Sequence, residues 1–258
     1  MVKLLFVTGA AGGLGQALAW RFYQAGYSLA LVARRSEEVQ SWVSARQLSQ
    51  HRYQIYGADV SLVDSIIAAA EACLARQGVP DVVVACAGIS VGVDTRQRAD
   101  IDVMARTFAT NNTGTAATFH PFLESMIRRG SGLVVGISSV NAIRGFPGHG
   151  ANCPSKAAMT SYCECLRGEL RGSGVKVVTL CPGYIDTALT RKNAYSMPFL
   201  MNADDFAERA FNAIERGTSY CVIPWQMGVV AKALRLLPDW LFDKVFAGRP
   251  RKPRTPEA

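Results

Sequence analysis

The feature that most limits the folds open to this chain is Thr8-Gly9-Ala10-Ala11-Gly12-Gly13-Leu14-Gly15. This glycine-rich turn is set between an apolar run, Lys3 to Thr8, and a helical pattern that reaches about Gly26. Glycines at this spacing permit a tight turn and a close approach of helix to strand, so the segment reads as strand, turn and helix in immediate succession. The same rhythm continues along the chain. Further β-rich apolar runs at Ser28 to Ala33, Tyr53 to Gly57, Asp81 to Ala87, Leu133 to Ser138, Val175 to Cys181 and Tyr220 to Pro224 are each followed by a turn, and usually by a helix-length segment. These runs are nearly continuous in Val, Ile, Leu and Ala instead of alternating with polar residues, which predicts a parallel sheet covered by helices on both faces.

The expected fold class is therefore α/β, a Rossmann-type doubly wound parallel sheet in one domain over residues 1–248. Its last part, 226–247, is a C-terminal helical segment, and the basic tail at 249–258 is expected to be disordered. A chain of 258 residues that is 49% hydrophobic and 19% charged can bury a large core without disulfides, and it is neither a disordered polymer nor a coiled coil. The seven cysteines stand singly apart from Cys163-x-Cys165 and form none of the C-x-x-C pairs of zinc or redox sites. No metal site is expected, and the cysteines read as reduced core residues of a cytoplasmic protein. No window approaches the run of about 18 apolar residues that a membrane span needs. Net charge is +8, with Arg249, Arg251, Lys252 and Arg254 all in the tail. The body carries no basic stripe interleaved with aromatics, so nucleic acid is not an expected partner.

In a strand–turn–helix context the backbone N–H groups of the glycine loop can approach a pyrophosphate, and the helix N-terminus favours its negative charge. A plain glycine turn is the alternative. The second strand ends at Ala33-Arg34-Arg35, where an acidic residue would accept the ribose hydroxyls of NAD. A guanidinium there suits a 2′-phosphate, to which it offers paired hydrogen bonds, so NADP(H) is expected over NAD(H). Here the alternative is a solvated arginine pair at a helix start.

Further motifs follow in order: Asp59-Val60 after the third strand, Ala87-Gly88 after the fourth, and Asn111-x-x-Gly114. Ser139 then ends Ile137-Ser138-Ser139, Ser155-Lys156 opens a helix, and Pro182-Gly183 is followed by Thr187. With the T-G-x-x-x-G-x-G spacing of Gly9, Gly13 and Gly15, they resemble the short-chain dehydrogenase/reductase family over essentially residues 3 to 225. The resemblance implies a nicotinamide cofactor held by Gly9, Gly13, Leu14, Gly15, Arg34, Arg35, Asp59, Val60, Ala87, Gly88, Lys156, Pro182, Gly183, Ile185 and Thr187. In it, Asp59-Val60 meets the adenine, and the Pro182 to Thr187 segment holds the carboxamide. It also implies hydride transfer between nicotinamide and a carbonyl or alcohol carbon at a site built from Asn111, Ser139, position 152 and Lys156. A homodimer or homotetramer through helices at roughly Ile101 to Arg129 and Ala151 to Gly172 is implied as well.

Two departures stand out. Ala85-Cys86-Ala87-Gly88 keeps small residues beside the cofactor but lacks the family's side-chain amides. The family's Y-x-x-x-K reads Asn152-Cys153-Pro154-Ser155-Lys156, so the proton-transferring Tyr is replaced by Asn152. An amide can donate hydrogen bonds to a developing alkoxide but does not give up a proton near neutral pH. His149, seven residues before Lys156 in Gly148-His149-Gly150, is the first candidate substitute, against the plainer reading of a surface-loop histidine. Tyr184 is a second candidate, against a packing role. Cys153 is adjacent in sequence but should point away from position 152. The alternative function is an NADP(H)-binding pseudoenzyme that senses cofactor or scaffolds a partner.

Tyr184 to Asn202 is weakly patterned and includes Ala188, Leu189, Tyr195, Met197, Pro198, Phe199, Leu200 and Met201, the lining expected for a hydrophobic carbonyl or alcohol substrate. Trp225 to Phe246 mixes apolar residues with Lys232, Arg235 and Lys244, and Pro238 divides it into two short helices. Residues 225–254 could make peripheral membrane contact; the alternatives are a cover for the substrate cleft or a subunit contact.

Overall fold

The computed structural model describes residues 2–191, 193, 195–248 and 250–254. Seven strands, β1 (Leu4–Thr8), β2 (Ser28–Ala33), β3 (Tyr53–Gly57), β4 (Val82–Ala85), β5 (Gly132–Ile137), β6 (Val175–Pro182) and β7 (Tyr220–Ile223), form one sheet. All pairings are parallel, in the order β3-β2-β1-β4-β5-β6-β7. The expected strands are all present, with ends shifted by a residue or two. The fourth stops at Ala85 because Cys86 and Ala87 turn their N–H groups to the Thr8 hydroxyl, at 3.1 and 3.2 Å, instead of to a neighbouring strand. The order reverses between β1 and β4, and ligands of such sheets bind in the crevice at the strand ends there.

The helices α1 (Gly13–Gln24), α2 (Ser36–Ala45) and α7 (Ala203–Arg216) cover one face. The other carries α3 (Val63–Gln77), α5 (Gly114–Arg129) and α6 (Asn152–Glu169). The two-residue period of the strands divides the core between these layers. Leu5, Val7, Leu29 and Leu31 pack with Leu18, Phe22, Phe206 and Ile214, whereas Phe6, Val32 and Val83 pack with Phe119, Phe122, Met126 and Met159. Continuous apolar strands are what such two-sided burial requires.

The helix expected over roughly Ile101 to Arg129 is present as a continuous helical stretch, in which α4 (Ala99–Phe108) and α5 are joined by a π-helical turn at Ala109–Thr113. Asn111 lies in that turn and its side chain is committed to other segments, while a Cβ on Gly114 would stand 2.5 Å from the Val60 carbonyl oxygen. The extra residue in the turn lets the helix begin again against that backbone. Pro238 does divide the C-terminal segment, into α8 (Trp225–Leu236) and α9 (Asp239–Phe246).

The expectation of a disordered tail is corrected for residues 250–254. Arg254 pairs with buried Asp100 at 2.7 Å, Lys252 Nζ donates to Ser90 Oγ at 2.6 Å, and Gly92 N–H donates to Pro253 O. The remainder of that call, Arg249 and residues 255–258, lies outside the described residues. All seven cysteines are free: Cys73, Cys153, Cys163 and Cys181 are buried, and Cys165 on α6 is exposed.

Within the glycine loop the constraint is local. A Cβ on Gly15 would lie 2.2 Å from Gly9 O, whereas one on Gly12 would lie 3.3 Å from the same atom. Gly15→Ala is expected to cost about 1–3 kcal/mol in urea unfolding, with Gly12→Ala costing less than about half as much.

Candidate active site

The site begins at the β1/β4 switch point. Gly9 takes a left-handed φ of 72°, and a Cβ on it would meet Ala87 N at 2.8 Å, so the glycine loop lies directly on the segment that leaves β4. Helix α1 then starts from Gly12 with no side-chain cap and no acid in its first turn, leaving its N-terminal N–H groups to an external anion. A Cβ on Gly13 would lie 3.5 Å from Thr187 Cγ2, so the segment after β6 closes onto the glycine loop. That segment is fixed by Gly183 N–H to Ile223 O at 2.8 Å, by buried Ile185 bridging to Met201, and by Thr187 N–H to Thr190 Oγ1 at 3.0 Å. Gly9, Gly13, Leu14, Gly15, Ala87, Gly88, Pro182, Gly183, Ile185 and Thr187 thus gather along one edge.

At the neighbouring edge Arg34 and Asp59 lie 3.5 Å apart, and Asp59 also accepts from Ser61 N–H and Oγ. Burial pushes the Asp59 carboxyl up, but the Ser61 and Arg34 contacts outweigh it and the net position is below the usual range. Arg35 turns aside to Glu38 at 2.7 Å. Both arginines are largely exposed, so an incoming phosphate could recruit them without unmaking a buried contact. Val60 is buried under Gly114. An uncapped helix start and glycines without room for a side chain at Gly9 and Gly15 fit a dinucleotide cofactor.

The reactive side is built on the ends of β5 and α6. Ser139 follows β5, and its Oγ accepts from Asn141 N–H at 3.2 Å, capping a short 3₁₀ turn at Val140–Ala142. Lys156 lies half-buried on the first turns of α6, with Nζ donating to Ile137 O at 2.8 Å; a Cβ on Gly88 would be 3.6 Å from it. Burial pushes the Lys156 ammonium down to about 8. Ser138, which the motifs do not flag, ties the strand end to the helix by donating to Lys156 O at 2.8 Å.

Asn111 is fully buried, and both the oxygen and the nitrogen of its amide are engaged by neighbours. Its Oδ1 accepts from Ile89 N–H at 2.9 Å, and its Nδ2 donates to Ile89 O at 3.0 Å and Ser155 Oγ at 2.9 Å. Ser155 in turn donates to Asn152 O at 2.8 Å. Asn111 is therefore a positioning residue that holds the post-β4 segment and the start of α6 at fixed spacing.

Asn152 opens α6 and is 5% exposed, and its amide oxygen is buried without a hydrogen-bond partner among the described residues. His149 is 8% exposed, which corrects the surface-loop reading. Its Nδ1 lies 3.3 Å from Pro147 O and its Nε2 3.3 Å from the Tyr195 hydroxyl, and burial holds its pKa below the ordinary value. Pro147 O can only accept, so the proton sits on Nδ1 and Nε2 accepts from Tyr195. The Tyr195 ring also meets Tyr184 at 6.3 Å between centroids. Cys153 is buried and its N–H donates to His149 O.

Helices α8 and α9 cover the loop between Ser139 and His149. Arg144 donates to Leu234 O and Leu237 O and pairs with Asp239, and Phe146 packs on Phe242 and Phe246. Sequence patterning does not reveal this contact, because Arg144 and Phe146 look like ordinary loop residues. No helix among the described residues is long and apolar enough to cross a membrane.

Lys156 carries a measurable cost. Between pH 8 and its ordinary value of 10.5 the unfolded chain keeps a proton that the folded chain has lost, so stability rises with pH across that window, and below pH 8 the burial cost is present in full. Lys156→Met is expected to stabilise the apoprotein by ~1–3 kcal/mol at pH 7, with the gap closing towards pH 10 in scanning calorimetry.

Known proteins agree with this geometry. The short chain dehydrogenase profile matches residues 3–197. An uncharacterized oxidoreductase of Myxococcus xanthus is 35% identical over 241 residues, spanning 93% of this chain and 95% of its own. A short-chain dehydrogenase structure from Streptomyces avermitilis superposes with a TM-score of 0.81 at 26% identity, covering 90% of this chain and 92% of that one. An alcohol dehydrogenase from the archaeon Thermococcus sibiricus, complexed with 5-hydroxy-NADP, gives a TM-score of 0.77 at 25% identity over 86% of this chain and 96% of its own. With a glycine loop on the switch point and a buried lysine behind it, this chain belongs to the short-chain dehydrogenase family of nicotinamide-dependent oxidoreductases.

Proposed function

We propose that this chain is an NADP(H)-dependent oxidoreductase of apolar carbonyls or alcohols in which the His149–Tyr195 pair moves the proton that residue 152 cannot. The observation that carries the reading is Lys156: an ammonium kept in a buried site at the strand ends, at a cost to stability, is hard to account for without a ligand. Arg34 supports the phosphorylated cofactor, in agreement with the NADP analogue bound by the archaeal relative.

A bound nicotinamide supplies or accepts the hydride. The rest falls to side chains of this chain. Ser139 Oγ and the Asn152 amide donate hydrogen bonds to the substrate oxygen and stabilise charge there, and neither loses a proton near neutral pH. In alcohol oxidation the substrate hydroxyl passes its proton to the Tyr195 oxygen as the Tyr195 proton moves to His149 Nε2; reduction runs the same path backwards. Burial pushes the Tyr195 hydroxyl up to about 12, so it stays protonated between turnovers. Since neutral His149 is the accepting form, oxidation falls as pH drops through its depressed pKa.

NADPH oxidation across a panel of hydrophobic ketones tests the reading. The parent is expected to turn over, and His149→Ala to lose about 10²–10⁴ in kcat. Arg34→Glu should weaken NADPH by roughly tenfold or more with little change for NADH. Tight NADPH binding with no turnover, unrepaired by Asn152→Tyr, would instead favour a cofactor sensor or scaffold.

The outer surface of the C-terminal helices supports peripheral membrane contact as well. Trp225, Val229, Leu236 and Trp240 are exposed beside Lys232, Arg235 and Lys244, while Met227, Ala231 and Phe242 face inward. Trp225→Ser with Trp240→Ser is expected to abolish sedimentation with anionic liposomes and leave NADPH binding intact. Self-association through α5 and α6, as in the family, is part of the same reading, and cytoplasmic residence is the expected location.

A further inference from the structure

The described part of the tail, Pro250–Arg254, runs between two segments that border the reactive side. On one side is the loop after β4: Gly92 N–H donates to Pro253 O at 3.1 Å, and a Cβ on Gly92 would fall 2.1 Å from Lys252 O, so only glycine admits the strap. On the other is the loop before α6, where a Cβ on Gly148 would meet Arg251 Cβ at 2.9 Å. The two loops are themselves joined by Val93 N–H to Gly148 O at 3.1 Å.

Charge is distributed unevenly along this strap. Arg254 takes Asp100, which is nearly buried and also accepts from Asp94 N–H, while Asp94 is engaged by Arg96 and lies in the field of Arg251. The acids of the loop are therefore neutralised by arginines. Lys252 goes inward between them. Its Nζ has Ser90 Oγ at 2.6 Å and no ion pair among the described residues, and its electrostatic neighbours are His149 and Cys153. Burial without a counter-carboxylate holds this ammonium down to about 8.

Ser90 is two residues beyond Gly88, whose Cβ position is 3.6 Å from Lys156 Nζ. At about 3.8 Å per residue, the two ammonium groups are at most ~18 Å apart. A carbonyl beside Ser139 and Asn152 and an anion on Lys252 can therefore belong to one small molecule with an apolar middle.

We propose that Lys252 anchors the substrate by a carboxylate, which makes the substrate class an apolar oxo- or hydroxy-carboxylate. The inference rests on the oxidoreductase reading above. A bound carboxylate would supply the ammonium with the counter-charge that the protein withholds, whereas a neutral isostere would leave it buried and unpaired.

The test compares 6-phenylhexanoate with its neutral amide by calorimetric titration, using full-length protein with and without saturating NADP⁺. The parent is expected to bind the acid at least about tenfold more tightly than the amide, Lys252→Met to lose that preference, and Lys252→Arg to retain most of it. Equal binding of the two probes, binding of neither, or a preference that survives Lys252→Met overturns the assignment. A thermal unfolding midpoint of Lys252→Met no lower than the parent's, as expected where the Arg254–Asp100 pair keeps the strap in place and a buried ammonium is removed, separates lost recognition from lost structure. Failure of NADP⁺ to bind sinks the oxidoreductase reading alone, because the titration without cofactor still reports on Lys252.

Discussion

The amide of Asn111 is the interaction on which the site depends. One side chain satisfies both backbone groups of Ile89 and the hydroxyl of Ser155, so three segments distant in sequence share a single set of hydrogen bonds. Because the amide is fully buried, none of these bonds has water as an alternative, and loss of any one leaves a polar group stranded at a cost of about 1–3 kcal/mol. The consequences extend outward. Ile89 fixes Gly88 beside Lys156, Ser155 fixes the carbonyl of Asn152, and the π-helical turn is the backbone distortion that brings Asn111 to both.

A second constraint is electrostatic. Lys156 is held by one carbonyl and burial, with no acid paired to it among the described residues, so its ammonium is kept at a cost that nothing in this part of the chain offsets. Asn152 adds a buried amide oxygen without a hydrogen-bond partner among the described residues. Two incompletely satisfied groups on one helix turn are a concentration of stored cost, and such costs collect where a ligand can relieve them.

Much of this was legible in the sequence, and for identifiable reasons. The strands announce themselves because burial on both faces demands unbroken apolar runs, and residues 4–7 of the first strand and Val82–Ala85 have nothing else. The glycine loop is legible because Gly9 and Gly15 are forced by backbone contacts within a few residues or across one strand pair. What escaped depends on partners far away in the chain. His149 is covered by Tyr195 from 46 residues further on, and the π-helical turn is held by Ile89 and Ser155. The tail misled for the same reason. A Pro- and Arg-rich segment reads as solvated, and only the fold brings Asp100 to Arg254 across 154 residues.

The distribution of thiols has a consequence for how the molecule can be watched. Cys165 stands exposed on α6, while Cys163 on the same helix and Cys181 on the strand beneath are sealed, and burial pushes the Cys163 thiol up to about 11. An alkylating reagent needs an accessible thiolate, so in the folded chain it should find Cys165 first and reach its neighbours only when the helix lifts from the sheet. One helix thus carries both a handle for attaching a label and an internal clock, whose rate of modification reports how often this layer of the fold opens.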